Sequence, residues 1–194
     1  MVVAWPTGLR FLTCRAMSSP LRITTAKRSA ATAAQLAELG RRTFHEAFAA
    51  QNTPEDMAEY LAQTFGPDKQ LAELQAPNAT FFLAMLQQEP VGYAKLIVPS
   101  ALGAEPGADV STRAEIQRLY VLEDWIGTGL GASLMRRCIE EARQRGCRSV
   151  VLGVWEKNTR AIEFYRRFGF KQIGGVDFKL GQDLQHDIIM RKGL

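Results

Sequence analysis

Hydrophobic positions change their period along the chain, and each change marks an element. Residues 21–25 (LRITT) suit a short first strand. From Ser29 to Ala50 an Ala-rich stretch places Leu36, Leu39, Thr43, Phe44, Ala47 and Phe48 at helical spacing. Thr53-Pro54-Glu55 then reads as a helix start, with Thr53 as cap and Pro54 at the first helical position. That helix runs to about Phe65, Gly66-Pro67 breaks it, and a further short helix covers about 68–75. At Pro77 the character turns to strand. Residues 80–86 (TFFLAML) and 91–98 (VGYAKLIV), joined by Gln87-Gln88-Glu89-Pro90, predict a hairpin. Residues 99–112 hold Pro99, Gly103, Pro106 and Gly107 and read as a loop.

Residues 113–122 (RAEIQRLYVL) form the next strand, whose period of two puts Glu115, Gln117, Leu119 and Val121 on one face. A glycine-rich turn, Gly127 to Gly131, leads into an amphipathic helix over 130–145, with Leu130, Leu134, Cys138 and Ala142 spaced by four and Gly146 as its stop. Residues 148–155 (RSVVLGVW) are nearly all apolar, as a buried parallel strand requires. A helix over 158–168 and two closing strands, 170–178 and 183–191 around Gly181, complete the chain. The predicted order is β-α-α-β-β-β-α-β-α-β-β. The strand–turn–helix–strand unit over 113–154 needs a crossover, so the sheet is mixed and the class is α/β, or α+β.

Composition narrows the function classes. The 194 residues are 46% hydrophobic and suit one domain, expected over 21–194 behind a leader of residues 1–20. The net charge of +4 hints at nucleic acid, but residues 1–30 carry five basic side chains (Arg10, Arg15, Arg22, Lys27, Arg28) and no acid. The remainder balances 19 basic against 20 acidic residues, so no domain-wide basic patch is expected and nucleic acid is not a partner. The leader lacks the early charge and unbroken apolar stretch of a signal peptide, and Met17 is an alternative start. Three cysteines (Cys14, Cys138, Cys147) without C-x-x-C spacing and two distant histidines (His45, His186) argue against a disulfide framework and a metal site. No apolar run approaches the ~20 residues of a membrane span. A reducing, cytoplasmic setting without a membrane partner is the expectation.

The sharpest chemical feature is Gly127-Thr128-Gly129-Leu130-Gly131 between a strand and a helix. Glycines allow a tight turn whose N–H groups point outward, and the helix start adds free donors and partial positive charge. The result is a cradle for phosphate. A Walker motif would need lysine at the helix start, and the glycine spacing does not fit G-x-G-x-x-G, so both nucleotide readings fail.

From Glu115 to Phe170 the sequence resembles the GNAT superfamily of acetyl-CoA-dependent N-acetyltransferases, and within it most the bacterial polyamine (spermidine/spermine) acetyltransferases. Two motifs carry the resemblance. Ile126-Gly127-Thr128-Gly129-Leu130-Gly131 is similar to the family's phosphate loop, and Asn158-Thr159-Arg160-Ala161-Ile162-Glu163-Phe164-Tyr165, followed by Phe168-Gly169-Phe170, to its second hallmark. The chain departs at Ile126, where the family usually has Arg or Gln, and at Thr128, where it usually has a basic residue. The resemblance implies a mixed, mostly antiparallel central sheet flanked by helices. It also implies a cofactor site for acetyl-CoA formed by Leu119, Tyr120, Val121, Ile126, Gly127, Thr128, Gly129, Leu130, Gly131, Ala132, Asn158 and Tyr165. Tyr165 is implied as the acid that protonates the departing thiolate, since a phenol with pKa about 10 holds its proton at neutral pH. Glu115 is implied as the base that takes the amine's proton.

The implied acceptor is the primary amine of a small molecule. Glu46, Glu55, Asp56 and Glu59 give the early helices an acidic character suited to a polyamine. Two other readings stay open: a protein or peptide N-acetyltransferase, which needs an open groove, and a silent CoA-binding regulatory module, against which Tyr165 and Glu115 speak. A homodimer is expected from the resemblance alone.

Overall fold

A computed structural model describes residues 21–194, so Cys14 and the expected leader lie outside the described residues. The first strand, β1, is Arg22–Thr25. Helix α1, Ala30–Phe48, starts where the Ser29 hydroxyl accepts from the Thr32 amide, and it ends in a short 3-10 turn, Ala49–Gln51. Helix α2, Pro54–Thr64, is capped by Thr53 with proline in its first turn, as predicted. The short segment after Gly66 is a helix of its own, α3 (Pro67–Gln75), so three helices precede the next strand.

Strands β2 (Ala79–Leu86) and β3 (Glu89–Ile97) run closer together than their sequence pattern suggests. Only Gln87 and Gln88 form the turn, with Gln87 at φ 57°. Pro90 enters β3 at a bulge, where the ladder is interrupted and its missing N–H costs least. Strand β4 (Arg113–Val121), helix α4 (Leu130–Gln144), strand β5 (Ser149–Trp155) and helix α5 (Thr159–Arg167) follow. Strands β6 (Lys171–Leu180) and β7 (Asp183–Gly193) close the chain as a hairpin.

All seven strands form one sheet in the order β1-β2-β3-β4-β5-β7-β6. Every pairing is antiparallel except β4 with β5. Helices α1 to α3 cover one face, and α4 and α5 the other. The main core takes in α4, α1, α3 and the sheet, with Leu36, Phe82, Leu96, Leu134, Met135 and Met190 fully buried. A smaller cluster, Phe44, Met57, Phe65 and Leu180, sits beneath α1 and α2. Gly40 makes that cluster possible, because a Cβ there would lie 2.4 Å from the Phe65 ring.

Two irregularities in β4 shape everything near the site. Leu96 pairs with Ile116 but Lys95 with Arg118, so Gln117 is an extra, exposed residue. The bulge reverses the alternation. Glu115, Arg118 and Tyr120 share the face of Lys95 and α1–α3, while Ile116, Leu119 and Val121 face α4. The expectation that Glu115, Gln117, Leu119 and Val121 share one face is therefore corrected. Second, β4 and β5 pair only from Arg113 opposite Ser149 to Glu115 opposite Val151. Beyond that point they part, although β5 stays paired with β7 as far as Trp155 opposite Asp187.

A buried ion network secures the α1–α3 face. Glu73 of α3 accepts from Arg118 at 2.6 and 3.1 Å and from Lys95 at 2.9 Å, and the Arg118 guanidinium stands 5.1 Å from the Phe65 ring centroid. Burial opposes ionisation of Glu73, yet the hydrogen bonds and charges of Arg118 and Lys95 outweigh it and hold the carboxyl below its usual range. Glu73→Gln leaves two buried cations without their counter-charge, and unfolding in denaturant is expected to show a loss of about 3–5 kcal/mol. Because the folded value is lowered, the wild-type carboxylate contributes its stability above the ordinary carboxylate pKa. That contribution is lost as pH falls through the folded value, and acid titration of Tm should show a loss on that limb that Glu73→Gln lacks.

Candidate active site

Where β4 and β5 part, a cleft of about 1080 Å³ runs through the sheet. One side is walled by the glycine turn, the start of α4 and α5. The other is walled by α1, α2 and the β6–β7 hairpin. From Ile116 to Val121 the β4 edge toward β5 carries no ladder pairing, so its backbone amides and carbonyls border the opening.

The glycine turn is built as the sequence suggests. A 3-10 turn, Glu123–Trp125, leads into it, and Gly127 and Gly129 adopt φ 90° and 91°. A Cβ at either position would meet nothing within 4 Å, so the left-handed backbone, not crowding, calls for glycine. Gly129 is the N-cap of α4 with no side-chain cap and no acid in the first turn. The first amides of α4 therefore keep their donors beside the cleft. Gly127, Gly129, Gly131 and Ala132 line it, as does Ile126, which is 41% exposed at the rim. Thr128 and Leu130 do not. The Thr128 hydroxyl donates to the Trp125 carbonyl at 2.8 Å, and the Leu130 side chain is buried in the core. Sequence reasoning missed Arg136, two turns along α4, which borders the same wall with its guanidinium 5.9 Å from the Phe168 ring centroid. Its helical spacing from Gly129 was the available signal.

On the same side, α5 presents Tyr165, half-buried against Phe164 and Phe170 at ring separations of 5.4 and 6.1 Å. Burial pushes the phenol up to about 12, so it holds its proton across the neutral range. Asn158 caps α5, its side chain accepting from the Ala161 amide at 3.1 Å, and also borders the cleft. Leu119, Tyr120 and Val121 line the β4 edge.

Glu115 and Asp187 stand on the opposite side, which Glu46 and Glu73 also border. Glu115 accepts from the Ser100 hydroxyl at 2.5 Å, and that oxygen in turn accepts from the Leu102 amide, so the loop after β3 fixes the carboxylate's direction. Asp187 of β7, opposite Trp155, was not foreseen. Burial raises its carboxyl to about 6, only partly countered by His186. Its signal in the sequence was an acid two residues before Ile189, at an inward position of a closing strand. Aromatic rings surround this side: Phe44 stacks on Tyr60 at 4.6 Å, Phe48 meets Trp155 at 6.2 Å, and Tyr60 meets Phe178 at 5.5 Å.

The helical acids are placed differently from the expected acidic pocket. Glu46 borders the cleft but pairs with Arg42 at 2.8 Å and accepts from the Glu123 amide at 3.0 Å. Asp56 accepts from the Gln182 amide at 2.6 Å and from the Thr53 hydroxyl at 2.8 Å, tying the β6–β7 turn to α2. Glu55 and Glu59 are exposed outside the cleft.

Comparison with known proteins follows the same lines. Residues 41–170 match the acetyltransferase (GNAT) family. An uncharacterised N-acetyltransferase of Lactobacillus delbrueckii subsp. lactis is 34% identical over 156 residues, covering 80% of this chain and 88% of that protein. A spermine/spermidine N(1)-acetyltransferase of Bacillus subtilis is 34% identical over 67 residues only, 34% of this chain and 44% of the relative. Among solved structures, the PaiA N-acetyltransferase of Thermoplasma acidophilum in complex with coenzyme A has the same fold, with a TM-score of 0.72 at 20% identity, covering 89% of this chain and 99% of that one.

The tether from Asp56 holds the hairpin wall of the cleft. The Gln182 amide, then the Thr53 hydroxyl, lower the Asp56 carboxyl below its usual value. In Asp56→Ala, hydrogen exchange should show the Gln182 amide losing protection while the β6–β7 ladder amides keep theirs. Unchanged protection at Gln182 would mean the turn holds its place without α2.

Proposed function

Because the chain belongs to the acetyltransferase (GNAT) family, we propose that it transfers the acetyl group of acetyl-CoA directly to the primary amine of a small molecule, with both substrates bound at once. One observation carries this reading: the parting of β4 from β5 opens a passage with a protonated phenol on one face and carboxylates on the other.

The roles follow from the chemistry. Amides at Gly127, Gly129, Gly131 and Ala132 and the positive end of α4 suit the pyrophosphate, with Arg136 adding charge. The unpaired edge at Leu119, Tyr120 and Val121 suits an amide-bearing arm laid along it like a strand. An amine attacks only when neutral, so Glu115, aimed by Ser100, takes a proton from the incoming ammonium. The neutral nitrogen forms its bond to the acetyl carbon, and the Leu119 N–H polarises the thioester carbonyl. The C–S bond then breaks, the thiolate receives a proton from Tyr165, and the second proton of the attacking nitrogen passes to the phenolate, leaving the neutral amide and restoring the phenol. Asn158 holds the N-terminus of α5, and so the direction of Tyr165.

The walled cleft favours a small acceptor over a peptide, since the β6–β7 turn is tied to α2 across its far side. The free thiols of Cys138 and Cys147 fit a cytoplasmic setting.

Thiol release from acetyl-CoA against a panel of amines, polyamines, amino acids and peptides tests the reading directly. Coenzyme A should raise Tm by mass action, and no shift at millimolar coenzyme A would overturn it. Tyr165→Phe is expected to lower kcat about 10²-fold with the coenzyme A shift retained. Since the phenol is held near 12, it remains an acid well beyond neutrality. The wild-type rate should therefore show no alkaline decline between about pH 7 and 10, and a decline in that window that vanishes in Tyr165→Phe would contradict the raised value.

A further inference from the structure

Among the carboxylates bordering the cleft, Asp187 stands apart by being half-buried with no partner; Glu123 also lacks one but is exposed. Glu115 accepts from the neutral Ser100 hydroxyl, Glu73 is paired with Lys95 and Arg118, and Glu46 with Arg42 and the Glu123 amide. Among the described residues no hydrogen bond or ion pair reaches the Asp187 side chain, although it is half-buried. A carboxylate withdrawn from water without a counter-charge is costly unless something cationic completes it.

Its placement points into the opening. Asp187 lies opposite Trp155, the last pair of the β5–β7 ladder. Gly153, one pleat back on β5, leaves room beside it: a Cβ there would lie 3.5 Å from the Asp187 Oδ2 atom. With glycine, the carboxylate stands clear at the β5 edge where that strand has left β4.

The surroundings are apolar and aromatic. Phe48, Tyr60, Trp155 and Phe178 border the same part of the cleft. Their ring faces suit an alkylammonium and their edges suit a hydrocarbon body. Charged groups also border the cleft, among them Arg160 beside Phe48 and Trp155. His186, the chain neighbour, is hydrogen-bonded to Asp177 of β6 at 3.1 Å, and Lys157 stands 5.6 Å from the Trp155 ring centroid. Lys95 and Arg118 are both paired with Glu73. Among these rings Asp187 is the one half-buried carboxylate without a partner, since Glu115 stands on β4 beside Ser100 and Glu123 is exposed beside the glycine turn, so a second ammonium held among the rings would lack a counter-ion.

We propose that Asp187 is the acceptor-anchoring carboxylate, and that it selects a singly charged primary amine carried on an aromatic or branched aliphatic body. This rests on the acetyl-transfer reading above and names the substrate class of the same site. It also departs from the polyamine expectation, because the acids that suggested a polyamine are engaged in holding the fold or lie outside the cleft.

The test uses the full chain with acetyl-CoA and thiol release as readout. Phenylethylamine and 3-methylbutylamine are the fitting probes, and spermidine and a lysine-bearing peptide the contrasting ones. The wild type is expected to show kcat/KM at least about tenfold higher for the two monoamines than for spermidine. Asp187→Asn, nearly the same shape, should raise KM for the monoamines at least about tenfold while KM for acetyl-CoA and the thermal shift by coenzyme A stay unchanged. Trp155→Ala should raise KM for phenylethylamine more than for ethylamine. Preference for spermidine or the peptide, or an unaltered monoamine KM in Asp187→Asn, overturns the anchor and leaves acetyl transfer standing. Absence of any coenzyme A shift in the wild type overturns the acetyl-transfer reading and the anchor with it.

Discussion

The structure turns on the place where one sheet stops being continuous. β4 and β5 share three residue pairs and then separate while each keeps its other neighbour. Unpaired strand edges inside a fold are unfavourable, because buried amides and carbonyls then lack partners. Here both edges border a cleft instead of packed side chains. A ligand bearing amides can supply the missing ladder, which is why a sheet can tolerate the gap. The passage also joins two chemically different faces. Donors and a protonated phenol lie on the α4–α5 side, and carboxylates and rings on the α1–α3 side.

Keeping such a gap open requires that the rest of the sheet not collapse into it. The α1–α3 side is pinned by Glu73 bridging Lys95 of β3 and Arg118 of β4, a network placed just past the bulge at Gln117. The β6–β7 side is pinned by Asp56, which reaches from the start of α2 to the Gln182 amide. The α4 side is held by ordinary hydrophobic packing, with Leu134, Met135 and Cys138 fully buried. Polar ties thus serve the two walls that border the aromatic side of the cleft, and apolar burial the wall that presents backbone donors. An anion cradle made of amides needs a rigid helix beneath it more than it needs charged side chains.

Much of this was legible in the chain, for local reasons. Helix starts at Ser29 and Thr53 depend on their own hydroxyls accepting from backbone amides three residues on, and the turn at Gly127 and Gly129 depends on the backbone freedom of those residues alone. The motif around Asn158 and Tyr165 lies on one short helix, so its spacing survives into geometry. The illegible parts depend on distant partners. The bulge at Gln117 exists only in the register between β3 and β4, and it moved Leu119 away from the face of Glu115. Asp187 reads as one more polar residue in a terminal strand until β5 and α2 close around it. The acids of α2 looked like a binding surface because sequence shows charge but not what the charge is spent on. Asp56 is bound to a turn 126 residues away.

That last point bears on how an acceptor is chosen. The acids of the early helices alone would assign this chain a polycationic partner, whereas the half-buried cleft carboxylate left without a partner among the described residues is Asp187. A neutralised carboxylate attracts an ammonium weakly, because the local field near Glu73 or Glu46 is already cancelled by its partner. An unpaired, half-buried one attracts it strongly, and the low polarity of Phe48, Trp155 and Phe178 raises that attraction further. Those rings also desolvate whatever enters, so an amine without an apolar body would give up hydration for little contact in return. Selection in such a cleft follows the charge that remains uncompensated and the surface that surrounds it.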